Sequence, residues 1–409
     1  MKKNNNNLIT GLDIGSGAIR IAVGQTKEDG SLQIIGLSEG RSEGLAKGII
    51  TDIEDTVSSI SSCWEQAEKS VGTILNHAFV GISGTHIISQ ESKGVIAISR
   101  ADGEIKQADV DRVLEGAQTV ATPPNYEILH VIPRSFTVDN QPDIKDPIGM
   151  TGVRLEVDAQ IILGLSSQIK NLRKCLHRVG INEDELVFTP LATAEAVLNK
   201  RQKELGVAVV NIGSTTTCLT VFEEGDILTA KVLPIGSRHI TSDVAIGLRI
   251  PLDLAEAVKL NYGAAIFKPS YKNDTINLKE LNSSEEGVIS KKDLVEIIEA
   301  RCEEIFKLID KELMVIDRSA KLPAGVILTG SGAKLAGLPE LAKKVFRLPA
   351  SLGIPSGFNS VMQKAYDPSF ATATGLLLWG SNIRPLLKRG IGEIKMGGFL
   401  NNVFKRFIP

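Results

Sequence analysis

The stretches GLDIGSGAIRIAV at residues 11–23 and VVNIGSTTTCLTV at residues 209–221 decide how this chain is read. In each, an apolar run meets a polar residue, Asp13 or Asn211, passes through Gly and Ser, and re-emerges as a second alternating run. That is the pattern of two strands joined by a turn of small residues. Glycine in such a turn leaves backbone N–H groups open to close approach by a phosphate. One copy alone reads as a tight turn and no more. Two copies in register, 198 positions apart, read as related halves whose turns face each other and clamp a di- or triphosphate.

The rest of the chain bounds that reading. With 409 residues it exceeds what one hydrophobic core usually fills, so several subdomains are expected. Hydrophobic residues make up 43% and charged residues 23%, the balance of a chain that buries large sheets. The formal charge of −2, from 46 basic and 48 acidic residues, excludes whole-chain attraction to nucleic acid, and no nucleic-acid partner is expected. Cys63, Cys175, Cys218 and Cys302 are scattered without a CxxC pair, which favours reduced thiols over a metal or disulfide framework. Residues 1–7 are basic and Asn-rich, but the apolar run behind them is cut by Asp13 and Gly15, so neither a signal peptide nor a membrane anchor is expected and the chain reads as cytoplasmic. Strand patterns at residues 8–25, 77–82 and 206–223 alternate with helical patterns at 52–70 and 166–179, which makes the class α/β.

Two further motifs suit a nucleotide. GVILTGSGAKLAGLPE, residues 325–340, runs an apolar strand into Gly330, Ser331 and Gly332 and then into a helix starting near Leu338. LAEAVKLNYG, residues 254–263, is helical and sets Glu256 and Lys259 on one face, by default a solvated ion pair.

These four pieces, in this order, resemble the actin-like ATPase superfamily. Within it the chain is similar to the FtsA family of bacterial cell-division proteins, on GLAKGIITD (residues 44–52), LHVIPRSFTVD (129–139) and DPIGMTGVRLE (146–156). The resemblance runs from about residue 8 to about residue 380. It implies an actin-like (ribonuclease H-like) duplicated fold around a nucleotide cleft. The core subdomains would take residues 1–84 with 168–206 and 207–243 with 322–382. A family-specific inserted subdomain would take 85–167 and an upper subdomain 244–321, and residues 383–409 would form a flexible linker and a C-terminal amphipathic helix. ATP and Mg²⁺ are the implied cofactors. Asp13, Gly15, Ser16 and Gly17 would form the first phosphate loop, with Asp13 touching the metal through water and Arg20 as its basic residue. Asn211, Gly213, Ser214, Thr215 and Thr216 would form the second, and Gly236 would sit near the phosphates. Glu256 and Lys259 would hold ribose and base, and Gly330, Ser331, Gly332 and Ala333 would pass under the adenosine. The implied function is to tether filaments of the tubulin-like protein FtsZ to the cytoplasmic membrane at the division site, to self-associate into actin-like filaments and to recruit later division proteins. FtsZ would dock on the upper subdomain, on the helix at 291–311.

Two departures from the superfamily pattern shape the expectation. Asn211 stands where hydrolysing relatives carry a carboxylate, and Thr189, in VFTPLATAE at residues 187–195, stands where they position the attacking water. An amide cannot take a proton and Thr is too short to reach that water, so slow hydrolysis is expected and no confident catalytic residue is assigned. A shifted register in which Glu195 supplies the missing group is the alternative. The tail is the second departure. After Asn382 it carries six basic residues against one acid, and at helical spacing Phe399, Leu400, Val403, Phe404, Phe407 and Ile408 share one face opposite Lys405 and Arg406. That is the pattern of a helix lying in a membrane surface; docking on the protein's own core is the alternative. A pilus-assembly adaptor of related fold and a sugar kinase are the rival functions. The tail argues against both, and the kinase also lacks a catalytic Asp.

Overall fold

In the computed structural model of this chain, residues 8–281 and 287–388 are described. The chain opens with β1 (Leu8–Ile14), β2 (Ala18–Thr26) and β3 (Leu32–Arg41), a small hairpin of β4 (Leu45–Ala46) and β5 (Ile49–Ile50), then α1 (Ile53–Val71) and β6 (His77–Ile82). Helix α1 forms where Asp52 accepts the Asp55 N–H as N-cap, and stops at Gly72 in the left-handed region; between them Ile60, Cys63, Trp64 and Ala67 make one buried stripe. The chain then leaves for β7 (Ile87–Ala97), α2 (Gln107–Ala121), β8 (Tyr126–Val138), β9 (Gln141–Ile144) and β10 (Arg154–Leu165). These four strands make a separate antiparallel sheet in the order β7-β10-β8-β9, with α2 laid across it over its own core of Val110, Val113, Leu114, Phe136 and Val157. The chain returns through α3 (Ser166–Val179), β11 (Asn182–Phe188), α4 (Thr189–Val197) and α5 (Lys200–Leu205).

The second half repeats the first. It comprises β12 (Val207–Ile212), β13 (Thr217–Glu223), β14 (Asp226–Leu233), α6 (Ser237–Leu248), α7 (Leu252–Tyr262), β15 (Thr275–Asn277), β16 (Val288–Ser290), α8 (Lys291–Val315), β17 (Val326–Thr329), α9 (Leu338–Phe346), β18 (Ala350–Leu352) and α10 (Ala371–Lys388). Its sheet runs β14-β13-β12-β17-β18, and the first runs β3-β2-β1-β6-β11. In both, an antiparallel hairpin continues into parallel strands on its far side. The hydrophobic pattern of each half is therefore satisfied by the same topology, which puts the two glycine turns at equivalent ends of two sheets.

Helix α10 follows the second half in sequence but packs on α4, β1, β2 and β6 of the first. Its stretch from Ala371 to Trp379 is buried nearly all round, as the run ATATGLLLW requires. It packs on α4 so closely that a Cβ on Gly375 would lie 1.9 Å from the Ala192 carbonyl oxygen, and it crosses β1 at Gly11. The helix continues through residues 383–388, which the sequence assigned to a linker; Ile383 is buried and carries the apolar stripe past Asn382. No helix among the described residues is long and apolar enough to cross a membrane. The tail residues Phe399, Leu400, Val403, Phe404, Lys405, Arg406, Phe407 and Ile408 lie outside the described residues.

Candidate functional site: a cleft between two glycine hairpins

The two hairpins are superimposable in register. Asp13 pairs with Arg20 and Ile14 with Ile19 across β1 and β2; Asn211 pairs with Cys218 and Ile212 with Thr217 across β12 and β13. A Cβ on Gly15 would meet the Ala18 carbonyl oxygen at 2.9 Å, and one on Gly213 would meet that of Thr216 at the same distance. Each of these positions is its partner's number plus 198. The loops face each other across the cleft and touch, since a Cβ on Gly17 would lie 2.5 Å from Ser214 Cβ.

Between them opens a cavity of about 650 Å³, the size of a small-molecule site. Its wall includes Asp13, Gly15, Ser16, Gly17 and Arg20 from the first half and Asn211, Gly213, Ser214, Thr215 and Thr216 from the second. Thr189, Glu256, Lys259, Gly330, Ser331 and Gly332 complete the set that the sequence had brought forward. Two expected residues stand behind the wall. Gly236 begins α6, and a Cβ there would lie 2.7 and 2.6 Å from the carbonyl oxygens of Gly213 and Ser214. With Ser237 and Arg238 donating backbone N–H bonds to those two carbonyls, it buttresses the second loop. Ala333 is buried beneath the Gly330 turn. Conversely Gly48, Ser83, Cys218, Ser237, Ser369 and Thr372 line the cavity without having been singled out as site residues. Of these, Gly48 lies inside the GLAKGIITD stretch and Cys218 inside VVNIGSTTTCLTV, where a local signal existed.

The floor of the cleft is electrically uneven. Burial pushes the Asp13 carboxyl up to about 6, a rise that Arg20 tempers. Arg20 itself is engaged, with a nitrogen 2.7 Å from a Glu39 carboxylate oxygen and its guanidinium over the Phe370 ring. Burial would raise Glu39, but Lys364, 2.8 Å off, and Arg20 together hold it below the usual carboxylate range. The Cys218 thiol, hydrogen-bonded to Ser83 and Thr189, is pushed by burial to about 11 and stays protonated.

At the two degenerate catalytic positions the side chains serve the scaffold. The Asn211 amide nitrogen donates at 3.3 Å to both Thr193 and Thr372, whose hydroxyls are 3.0 Å apart, and so ties β12 to α4 and α10. Thr189 opens α4, is 5% exposed, and meets the Cys218 thiol. Glu195 does not line the cleft; it pairs with Lys203 at 2.9 Å. The shifted register therefore gains nothing from the fold.

Glu256 and Lys259 correct their default reading. Lys259 is only 6% exposed and donates at 2.7 Å to Glu256 and 2.8 Å to Thr241, whose hydroxyl also bonds Glu256. A solvated pair would not hold such a network. The helical spacing is the same, but α6 covers it. Among the described residues no group of three or more His, Cys, Asp or Glu is arranged to hold a metal ion. All four thiols are free and buried.

Comparison with known proteins agrees with this geometry. The family model described as "Cell division protein FtsA" matches residues 208–375, and that described as "SHS2 domain inserted in FTSA" matches residues 84–163. The cell division protein FtsA of Pseudomonas aeruginosa is 37% identical over 91% of this chain and 89% of its own, and that of Bacillus subtilis is 37% identical over 95% and 87%. Among solved structures, a PilM-PilN type IV pilus biogenesis complex has a chain of TM-score 0.66 at 16% identity, covering 91% of this chain and 98% of that one. MreB5 of Spiroplasma citri bound to ADP gives 0.57 at 12%, covering 94% and 99%. With two hairpins in one register around a cleft, a sheet inserted within the first half and relatives matched nearly end to end, the chain belongs to the FtsA family of cell-division proteins and has their actin-like fold.

Proposed function

We propose that the cleft binds ATP with Mg²⁺ and that the protein uses the nucleotide to control assembly while it tethers FtsZ filaments to the cytoplasmic face of the membrane. The observation that carries the nucleotide reading is the pair of facing glycine loops. Gly15, Gly17 and Gly213 keep the loops free of Cβ atoms that would collide, so backbone N–H groups can approach phosphate oxygens. Asp13 fits a hydrated Mg²⁺, because a carboxylate that burial pushes toward neutrality regains its charge beside a cation. When bound, the metal would neutralise phosphate charge. Neither Thr189 nor Asn211 can take a proton, and both are engaged with Cys218, Thr193 and Thr372, so neither position activates an attacking water and hydrolysis is slow.

In this reading residues 1–84 with 168–206 and 207–243 with 322–382 are the two core subdomains, residues 85–167 are the inserted subdomain, and the protein recruits later division proteins. The upper subdomain at 244–321 receives FtsZ, with α8 as its longest helix. Protomers align into actin-like filaments, and the amphipathic tail at residues 399–408 holds them to lipid. One short helix binds a membrane weakly, while a row of them acts as a multivalent anchor.

Sedimentation with anionic vesicles and FtsZ polymers tests this. The intact chain should carry FtsZ polymers to the vesicles. Phe404→Glu, or truncation after Lys388 where α10 ends, should leave both in the supernatant. Equal sedimentation of intact and truncated chains would remove the tether.

A further inference from the structure

The motif GLAKGIITD at residues 44–52 marks the family and brings Gly48 to the cleft wall. Its centre is a two-residue turn. Leu45 pairs with Ile50 and Ala46 with Ile49, leaving Lys47 and Gly48 at the tip with φ of 51° and 76°. Two positive φ values in a two-residue hairpin favour Asn, Asp or Gly at the first place; lysine there works against the local preference. A residue that breaks a local rule calls for a return elsewhere.

The turn lies between the two phosphate loops. The Lys47 N–H donates to Thr215 Oγ1 at 3.2 Å, in the second loop, and the Gly48 N–H donates to Ser16 Oγ at 3.0 Å, in the first. On its other side the Lys47 carbonyl accepts the Thr85 N–H, and a Cβ on Gly48 would lie 2.2 Å from the Ser83 carbonyl oxygen, so the turn is held from behind.

The cations of the cleft wall are already committed. Arg20 is paired with Glu39, Lys259 with Glu256 and Lys334 with Asp367. Lys47 is exposed and has no ion pair among the described residues, and its flexible four-carbon stem starts beside both loops. Arg238, also without an ion pair among them, bonds through its backbone to the second loop alone.

We propose that Lys47 is the phosphate-binding cation of this cleft, its ammonium contacting the terminal phosphates of a bound nucleoside di- or triphosphate while its turn holds the two loops at a fixed spacing. This rests on the nucleotide reading of the same cleft and replaces Arg20 as the basic residue that faces the phosphates.

Calorimetry on the full chain with Mg-ATP, Mg-ADP and adenosine tests it. Lys47→Met should weaken ATP roughly tenfold to a hundredfold, the range of a lost bond to a charged group. ADP should weaken less and adenosine not at all, while Lys47→Arg should retain ATP and Arg238→Met should match the wild type. Lys47→Asn separates ligand from scaffold: it relieves the backbone at φ 51°, so its melting temperature should rise while its ATP affinity falls. Unchanged ATP affinity in Lys47→Met overturns the assignment. So does an equal loss of adenosine, which would make the turn a structural element only. A wild type that binds neither ATP nor adenosine would bring down the nucleotide reading itself, and this assignment with it.

Discussion

Asp13 and Asn211 hold the same place in hairpins of the same register, yet one is a desolvated carboxylate and the other an amide that donates to two threonines. Gly17 is matched by Thr215, and Arg20 by Cys218. The duplicated backbone has thus been divided between tasks. The first hairpin keeps the charge that a metal would answer. The second gives up charge and anchors the seam where α4 and α10 meet. The halves are also complementary by shape, because the first loop has no side chain at Gly17 where Ser214 of the second projects.

That complementarity gives the largest expected effect. Gly17→Ala would place a Cβ 2.5 Å from Ser214 Cβ, so one loop must shift and the cleft must open. Overpacking of this kind costs about 1 to 3 kcal/mol, and nucleotide affinity should fall about tenfold or more because both loops contribute to one cradle. Adding Ser214→Gly moves the missing side chain to the other half and should restore most of the affinity. If the double variant stays as weak as Gly17→Ala, the loops do not meet at this contact.

The second effect is electrostatic and belongs to the first half. The Asp13 carboxyl titrates near 6 in the fold and near 3.8 in a free chain. Stability tied to its neutral form is fully present below pH 3.8 and is lost as pH rises through about 6. Replacing it by Asn should therefore raise stability at pH 7 by on the order of 2 kcal/mol, discounted for the exposure Asp13 keeps to the cleft, and the gain should vanish toward pH 4. The same substitution should remove any Mg²⁺ dependence of nucleotide binding. His86, under the root of the inserted sheet, slopes the other way. Burial lowers it from 6.5 to about 4, so its contribution is present above 6.5 and is lost as pH falls toward 4. In the wild-type stability profile these two slopes oppose each other. Denaturation of Asp13→Asn and of the wild type across pH 4 to 7.5 separates them; parallel curves would mean that Asp13 is not desolvated.

What was legible in the sequence was whatever repeats locally. The 198-residue echo, the strand at residues 77–82 and the helix at 166–179 follow from periodicity and turn chemistry, and they reappear as β6, α3 and two hairpins in one register. Side-chain partners across strands or between helices were not legible. Arg20 faces Glu39 because β2 and β3 put the two opposite each other, a register that no motif encodes. Lys259 is buried because α6 lies over it, while its own helix shows only an i, i+3 pair. Thr372 and Ser369 reach the cleft from the far end of the chain, where α10 enters the first half, and nothing near them in sequence marks them as part of a site.

The smallest effect concerns the amide. Each hydroxyl of Thr193 and Thr372 has one hydrogen, and Asn211 leaves one of them free to join the two threonines because it supplies both donors to the cluster. Asn211→Asp has no donor. The two hydroxyl hydrogens cannot then make all three contacts, and one bond of the cluster is lost, for about 1 kcal/mol of stability. The new carboxylate would stand opposite Asp13, so the second half would acquire the charge that only the first now has. Alone it should accelerate single-turnover hydrolysis little, since no side chain holds the water. Paired with Thr189→Glu, which starts from the cleft wall beside the Cys218 thiol, it should accelerate hydrolysis while affinity changes little. A wild type that already hydrolyses fast would end this account of Asn211. A fast Asn211→Asp single variant would show that the division between the hairpins rests on this one atom.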